Sequence, residues 1–238
     1  MNDETPFPRT LSEARVADAG ARPWPRRDAI AGRFVVVEPL DPARHGAALW
    51  DAARRDDPAR WRYLPYGPFA EVRTFEAHLA AQAASRDPLF FALAVEGRAA
   101  GVASYLEIAP EHAGIEIGHI WFGPDLARTA AATEAMRLMI GHALDDLGYR
   151  RMQWKCDALN AASRAAARRL GFLYEGTLHA HRLVKGRNRD TAYYAILAEE
   201  WPSARGLIDG WLDAAAGSGR PSGSLSAAMA GRVVPPRG

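Results

Sequence analysis

The sequence predicts a mixed α/β domain, one twisted mixed sheet of about seven strands with helices on both faces. Extended and helical hydrophobic periods alternate between residues 31 and 213. A central strand–helix–strand unit runs through residues 115–156, and its two strands must be parallel with a right-handed crossover. Hairpins with short Gly-containing turns flank that unit on both sides.

The elements follow in order. Phe34 to Glu38 is a β-branched run and reads as a strand. Pro42 to Arg55 and Val72 to Arg86 read as helices; in the second, Phe75, Leu79 and Ala83 share one face. Pro88 ends that helix. Phe90 to Val95, a Glu96-Gly97-Arg98 turn and Ala99 to Ile108 read as a hairpin. Ile115 to Phe122 is the next strand, and Ala131 to Leu147 a long helix stopped by Gly148. Arg151 to Cys156 reads as a strand and Ala161 to Leu170 as a helix stopped by Gly171. Phe172 to Val184, a Lys-Gly-Arg-Asn turn and Asp190 to Leu197 make the last hairpin, and Trp201 to Leu212 a closing helix. Residues 1–30, with Pro6, Pro8, Pro23 and Pro25, are expected to be a loosely ordered extension, and residues 214–238 a flexible Gly/Ser/Pro-rich tail.

Composition narrows the function. The 238 residues are 48% hydrophobic, enough for a sizeable core. No apolar stretch approaches the ~20 residues of a membrane helix, and no apolar signal region opens the chain. Net charge is +2, from 30 basic and 28 acidic residues, and no zinc spacing or recognition motif points to nucleic acid. The lone Cys156 excludes an internal disulfide framework and fits a reducing cytoplasm; its strand context reads as a buried small hydrophobe. His179 and His181 alternate along a strand without a third ligand, so no metal site is read there.

Residues 116–135 carry the chemistry. An apolar strand meets a Gly-Pro break at Gly123, a loop of small residues, and then a helix. The first N–H groups of such a helix lack internal partners and point at an anion, and small side chains let it approach. Thr129, Ala130, Ala131, Ala132 and Thr133 are the candidate phosphate cradle, and Thr129 or Thr133 would cap the helix with or without a ligand. Arg128 is either a charged donor to that anion or a solvated surface residue.

These motifs in this order resemble the GNAT superfamily of acyl-CoA-dependent N-acetyltransferases, and within it the RimJ/RimL-type branch that acetylates the N-termini of ribosomal proteins. The resemblance covers about Gly32 to Trp201. It rests on Pro124 to Ala135, Asn160-Ala-Ala-Ser163, Leu170-Gly171-Phe172, Glu175-Gly176, and Tyr193 to Trp201. It makes residues 31–213 the N-acetyltransferase domain. It implies acetyl-CoA as cosubstrate, an amine as acceptor, no metal, and a monomer or homodimer. The family's phosphate loop, Gln/Arg-x-x-Gly-x-Gly/Ala, falls on Ala127, Ala130 and Ala132. Only Ala132 fits, and the two departures are harmless to close approach if the backbone there keeps negative φ.

The resemblance also assigns roles. Glu116, eight residues before Pro124, stands where relatives carry a base; otherwise it is a strand charge that meets solvent or pairs with an arginine. His119 lies on the opposite face by strand parity unless a bulge intervenes, and reads as structural. A backbone N–H near Trp121 or Phe122 is expected to meet the oxyanion. Asn160 holds the pantetheine arm and Ser163 protonates the leaving sulfur in the branch; helix capping is the alternative. The tyrosine that other relatives use four residues before Gly171 is Ala167 here. Arg164, Arg168 and Arg169 meet an outer phosphate or form a solvated face. Tyr63, Tyr66 and Tyr193, with Trp61 and Tyr194, wall the acceptor cleft or belong to the core. The acceptor is a Ser- or Ala-led peptide N-terminus or, alternatively, a small amine such as an amino acid, polyamine or antibiotic. A third alternative is a non-catalytic acyl-CoA-binding module.

Overall fold

The computed structural model describes residues 5–218 and 223–235. The parts of the expected extensions at 1–4, 219–222 and 236–238 lie outside the described residues. Among the described residues the strands are β1 (Ile30–Ala31), β2 (Val36–Pro39), β3 (Leu89–Val95), β4 (Arg98–Ala109), β5 (Gly114–Phe122), β6 (Arg151–Asp157), β7 (Leu173–Val184) and β8 (Arg187–Leu197). The α-helices are α1 (Pro42–Arg55), α2 (Val72–Ala84), α3 (Ala130–Gly141), α4 (Ala161–Arg169), α5 (Trp201–Ser218) and α6 (Leu225–Ala230). The strand order is β1-β2-β3-β4-β5-β6-β8-β7, one mixed sheet of eight strands. The predicted fold class is the observed one, with the two-residue β1 as a strand the sequence did not announce. The parallel pair is the expected one: β5 joins β6 through Gly114↔Arg151, Ile115↔Met152 and Glu116↔Gln153.

The chain divides into two units, and β5 contributes to both. The first holds Pro25–Ile108 and Ile117–Ile140. In it Asp41 caps α1 by accepting from the Ala43 N–H at 2.9 Å, with Pro42 supplying a helix-ready φ. Leu49 and Ala52 of α1, Phe75 and Leu79 of α2, and Phe90, Trp61 and Trp121 form its aromatic core. Helix α3 buries Ala132, Ala135, Met136, Met139 and Ile140, a stripe at helical spacing. Glu134, also buried, accepts the backbone N–H groups of Arg33, Phe34 and Val35 at 2.9, 2.6 and 3.1 Å and so ties α3 to the β1–β2 turn. Gly32 is required there, since a Cβ would sit 2.6 Å from the Glu134 carboxyl carbon.

The second unit holds the residues up to Trp24, Ala109–Glu116, and the chain from Gly141 onward. Strand β6, the predicted strand extended by one residue, alternates, with Met152, Trp154 and Cys156 buried on one face. Phe172 packs on Trp154 with ring centroids 5.7 Å apart. Within the stretches read as extensions, Arg9 bonds Glu175 at 2.6 Å and Glu200 at 2.7 Å, and α6 buries Leu225 and Met229.

Several boundaries differ from the sequence reading. The long helix becomes α3 up to Gly141 and a wider π-type turn over His142–Asp146. Asp145 in that turn accepts the Trp201 indole and Arg205, both at 2.9 Å. The hairpin turns are shorter than read. Glu96-Gly97 and Lys185-Gly186 are two-residue turns with both residues at positive φ, so strands resume at Arg98 and Arg187.

Candidate active site

The strand-to-helix junction is built as the sequence suggests. After β5 the Leu126 and Ala127 N–H groups both return to the Gly123 carbonyl, closing a tight turn. Thr129 then caps α3: its hydroxyl donates to the Leu126 carbonyl at 2.6 Å and accepts the Ala132 N–H at 3.2 Å. The Thr133 hydroxyl donates to the Thr129 carbonyl at 3.4 Å. The loop's one positive φ falls on Arg128, at +66°, while Ala127, Ala130 and Ala132 all keep negative φ. The two alanines therefore cost the loop no strain. Arg128 is exposed, and Ala131 and Ala132 are buried.

The rest of β5 in this unit departs from simple parity. His119 has φ +49°, outside strand geometry, so strand parity does not carry through it. Its Nδ1 lies 3.3 Å from the Tyr66 hydroxyl, and its ring is nearly parallel to that of Tyr66, 5.7 Å away. Trp121 stacks on Trp61 at 4.9 Å, and its indole donates to Asp56 at 2.9 Å. The Phe122 carbonyl accepts from Arg60 at 3.2 Å. Tyr63 lies beneath the Arg62 guanidinium, 5.3 Å away. A pocket of about 260 Å³, open solvent at its mouth included, is lined by Trp61, Tyr66, Phe75, His78, Leu79, Gln82, Val102 and Trp121. Burial raises the Tyr66 phenol above its ordinary range against a hydrogen bond from Gln82, and burial lowers the His78 imidazole. The His78 Nε2 is buried and meets no hydrogen-bond partner among the described residues.

In the other unit Glu116 is buried, flanked by the equally buried Ile115 and Ile117. Its partner is not an arginine but Lys155 of β6, whose Nζ stands 2.9 Å from Oε2, with both side chains only 7% exposed. The same ammonium lies 5.1 Å from the Tyr193 ring centroid, so Glu116, Lys155 and Tyr193 form one cluster. Sequence reasoning missed Lys155. The signal was its place on the polar side of the alternating β6, opposite Tyr193 in register.

Asn160 and Ser163 meet at the start of α4. Asn160 Oδ1 accepts the Ser163 N–H at 3.1 Å, the capping geometry. Ser163 Oγ accepts the Trp154 indole N–H at 3.0 Å, and its hydroxyl also bonds Cys156. Burial pushes the Cys156 thiol up to about 11, with Ser163 pulling it back, so this cysteine is the inert buried residue expected. Ala167, where relatives carry tyrosine, is fully buried. Of the three α4 arginines, Arg164 bonds the Tyr194 hydroxyl and the Ala158 carbonyl, Arg169 stacks on Trp211 at 4.8 Å, and Arg168 is exposed. Glu175 joins Arg9 and Arg151, and Asp190 holds the β7–β8 hairpin by accepting the Ala180 N–H at 2.7 Å. Among the described residues no group of His, Cys, Asp and Glu could hold a metal, and no helix is long and apolar enough to cross a membrane.

Residues 35–173 match the family profile described as "Acetyltransferase (GNAT) domain". The chain is 39% identical to a GCN5-related N-acetyltransferase from Brucella melitensis, covering 89% of this chain and 98% of that one with a TM-score of 0.85. It is 42% identical to a Chromobacterium violaceum structure named "probable acetyltransferases (GNAT family)", over 82% and 99% of the two chains, TM-score 0.76. Among curated proteins it is 30% identical over 109 residues to the Bacillus subtilis protein named "Putative ribosomal N-acetyltransferase YdaF". That match spans 46% of this chain and 59% of the relative's length.

Proposed function

Because the chain belongs to the GNAT acetyltransferase family, whose members use acetyl-CoA, we propose that it moves the acetyl group of acetyl-CoA onto the α-amine of a Ser- or Ala-led protein or peptide N-terminus. The observation that carries this reading is the start of α3, a Thr129-capped helix opening after a tight turn, with alanines at negative φ where a diphosphate must come close. The N–H groups of Ala130, Ala131, Ala132 and Thr133, with Arg128, are the residues we assign to the diphosphate. Asn160 is assigned to the pantetheine arm.

In the proposed reaction the acceptor amine loses a proton to the Glu116 carboxylate, directly or through water, and its nitrogen attacks the thioester carbonyl. A backbone N–H at Trp121 or Phe122 steadies the oxyanion. The C–S bond then breaks: the Ser163 hydroxyl gives its proton to the sulfur and regains one from the proton that the attacking nitrogen sheds as the amide forms, so the serine ends as it began. An indole N–H can only donate, so the Trp154 bond fixes Ser163 Oγ as acceptor on that side, and its hydroxyl proton, which rests on Cys156, must turn from that sulfur to the leaving one. The named relative from Bacillus subtilis supports a protein N-terminus as acceptor. The single buried Cys156 supports a reducing, cytoplasmic setting.

Purified protein with acetyl-CoA and Ser- or Ala-led peptides should release free CoA, with Glu116→Gln and Ser163→Ala each slowing the step. Amino acids, polyamines and aminoglycosides should react less well. Turnover confined to small amines would move the acceptor class. CoA binding without turnover on any amine would leave only a binding module.

A further inference from the structure

The β7–β8 hairpin carries polar groups that the proposed chemistry does not use. Arg189, Thr191 and Tyr193 alternate along β8 and so share a face of the sheet. Strand β7 has a register shift between Leu178 and Arg182, with Ala180 at φ +49°, and this irregularity re-aims His181 so that its ring lies 5.9 Å from that of Tyr193. Lys155, on the same side, sits over the Tyr193 ring and is paired with Glu116. Arg189 Nε, Thr191 Oγ1 and His181 Nδ1 are buried atoms that meet no hydrogen-bond partner among the described residues. Thr191 as a whole is 1% exposed, whereas Arg189 and His181 are half-buried, with their exposure on other atoms of the side chains than these. Asp157, opposite Thr191 in register, accepts the Leu159 N–H at 2.8 Å through Oδ1 and is the one carboxylate that β6 adds to this face.

Buried polar groups are normally bonded, and three on one hairpin face call for a partner that arrives with a ligand. Their chemistry narrows the partner. Arginine only donates, the threonine hydroxyl can donate, and a neutral imidazole donates from Nδ1 in one tautomer. A ligand group that only accepts satisfies all of them together, whereas a cation meets only the threonine oxygen and one imidazole tautomer and is repelled by Arg189. Lys155 is paired with Glu116, and Arg189 makes no ion pair among the described residues, so its guanidinium fork is the cationic donor left for a carboxylate. We propose that Arg189, Thr191 and His181 form an acceptor-recognition subsite for a carboxylate, carried as an Asp or Glu side chain close to the accepting N-terminus. The inference rests on the acetyl-transfer reading above and narrows its acceptor to acidic N-terminal sequences.

The test is calorimetric titration of the full chain, with CoA present, against twin peptides that begin Ser-Glu or Ser-Gln. The glutamate peptide should bind about tenfold tighter, and Arg189→Gln should erase that preference. Arg189→Lys, which keeps the charge but loses the fork, should retain part of it. Thr191→Val and His181→Phe should each shrink it about threefold, and they decide the matter if Arg189→Gln fails to melt like the parent. Equal binding of the twins, no binding of either, or a preference that survives in folded Arg189→Gln overturns the subsite. Turnover is read in the same samples. Equal acetylation of both twins leaves the acetyltransferase reading intact and removes the subsite. Arg189-dependent binding of the glutamate peptide without turnover keeps the subsite and removes the proposed acceptor chemistry.

Discussion

Glu134 attaches α3 to the β1–β2 turn at the edge of the sheet, and Glu134→Gln measures what that attachment is worth. In the parent, Oε1 accepts the Arg33 N–H and Oε2 accepts those of Phe34 and Val35. A glutamine oxygen in the Oε2 position keeps two of these bonds without their charge, and its NH₂ then faces the Arg33 N–H. One charge-assisted bond is lost and two are weakened by about 1 kcal/mol each, which sums to roughly 3 to 5 kcal/mol. The residue is only 7% exposed, so water does little to rescue the orphaned donor. For a chain of this size the melting midpoint should fall by roughly 10 °C. Circular dichroism melts read the loss. Titration with CoA reads its functional consequence, since α3 opens with the proposed diphosphate cradle, and affinity should weaken in the variant. Gly32→Ala, which drives a methyl into the same carboxylate, should act in the same direction. A Glu134→Gln midpoint within about 2 °C of the parent, with unchanged CoA affinity, refutes the attachment.

Two further outcomes are expected. Lys155→Met strands the buried Glu116 carboxylate and should cost about 3 to 5 kcal/mol in urea unfolding, whereas Lys155→Met with Glu116→Leu should recover most of it; equal losses in the single and double variants would deny the coupling. His78 should make stability depend on pH. Burial lowers its folded-state pKa below the ordinary 6.5, so the unfolded chain takes up a proton that the native state resists. Above that value His78 contributes no pH dependence, and stability declines as pH falls through it. Urea midpoints at pH 7.5 and 5.5 should differ less in His78→Phe than in the parent, and an identical difference in both would clear His78 of the effect.

What was legible in the sequence is what local periodicity controls. The bounds of α1 follow directly from Asp41-Pro42 at one end and the loss of the apolar stripe at the other. The alternation of β6 and the strand–turn–helix around Gly123 were readable for the same reason: their causes lie within a few residues of their effects. The loop departures at Ala127 and Ala130 were readable as a condition on φ, and the positive φ fell on Arg128 instead. Features made by long-range pairing were not readable. Glu134 reaches back about a hundred residues to Arg33, and Glu116 finds Lys155 only because β5 and β6 run parallel. The positive φ values in these strands fall on His119 and Ala180 rather than on a glycine, so residue type did not announce them.

The same distinction bears on the candidate chemistry. Residue type suggested Glu116, Asn160 and Ser163, but what each can do depends on partners chosen by the fold. Asn160 caps α4 with the oxygen that a cofactor amide would otherwise bond, so its remaining contribution is its NH₂ donor. Ser163 is oriented by an indole from another strand, and Glu116 is neutralised by a lysine from another strand. Both partners sit on β6, within two residues of one another at Trp154 and Lys155, and project to opposite faces of the sheet. That one dipeptide thus sets the electrostatics of the proposed base and the proton direction of the proposed acid. A one-residue slip of β6 would exchange the two faces and undo both. The register Lys155↔Tyr193 and Trp154↔Tyr194 is therefore as much a part of the proposed active site as the side chains that touch substrate.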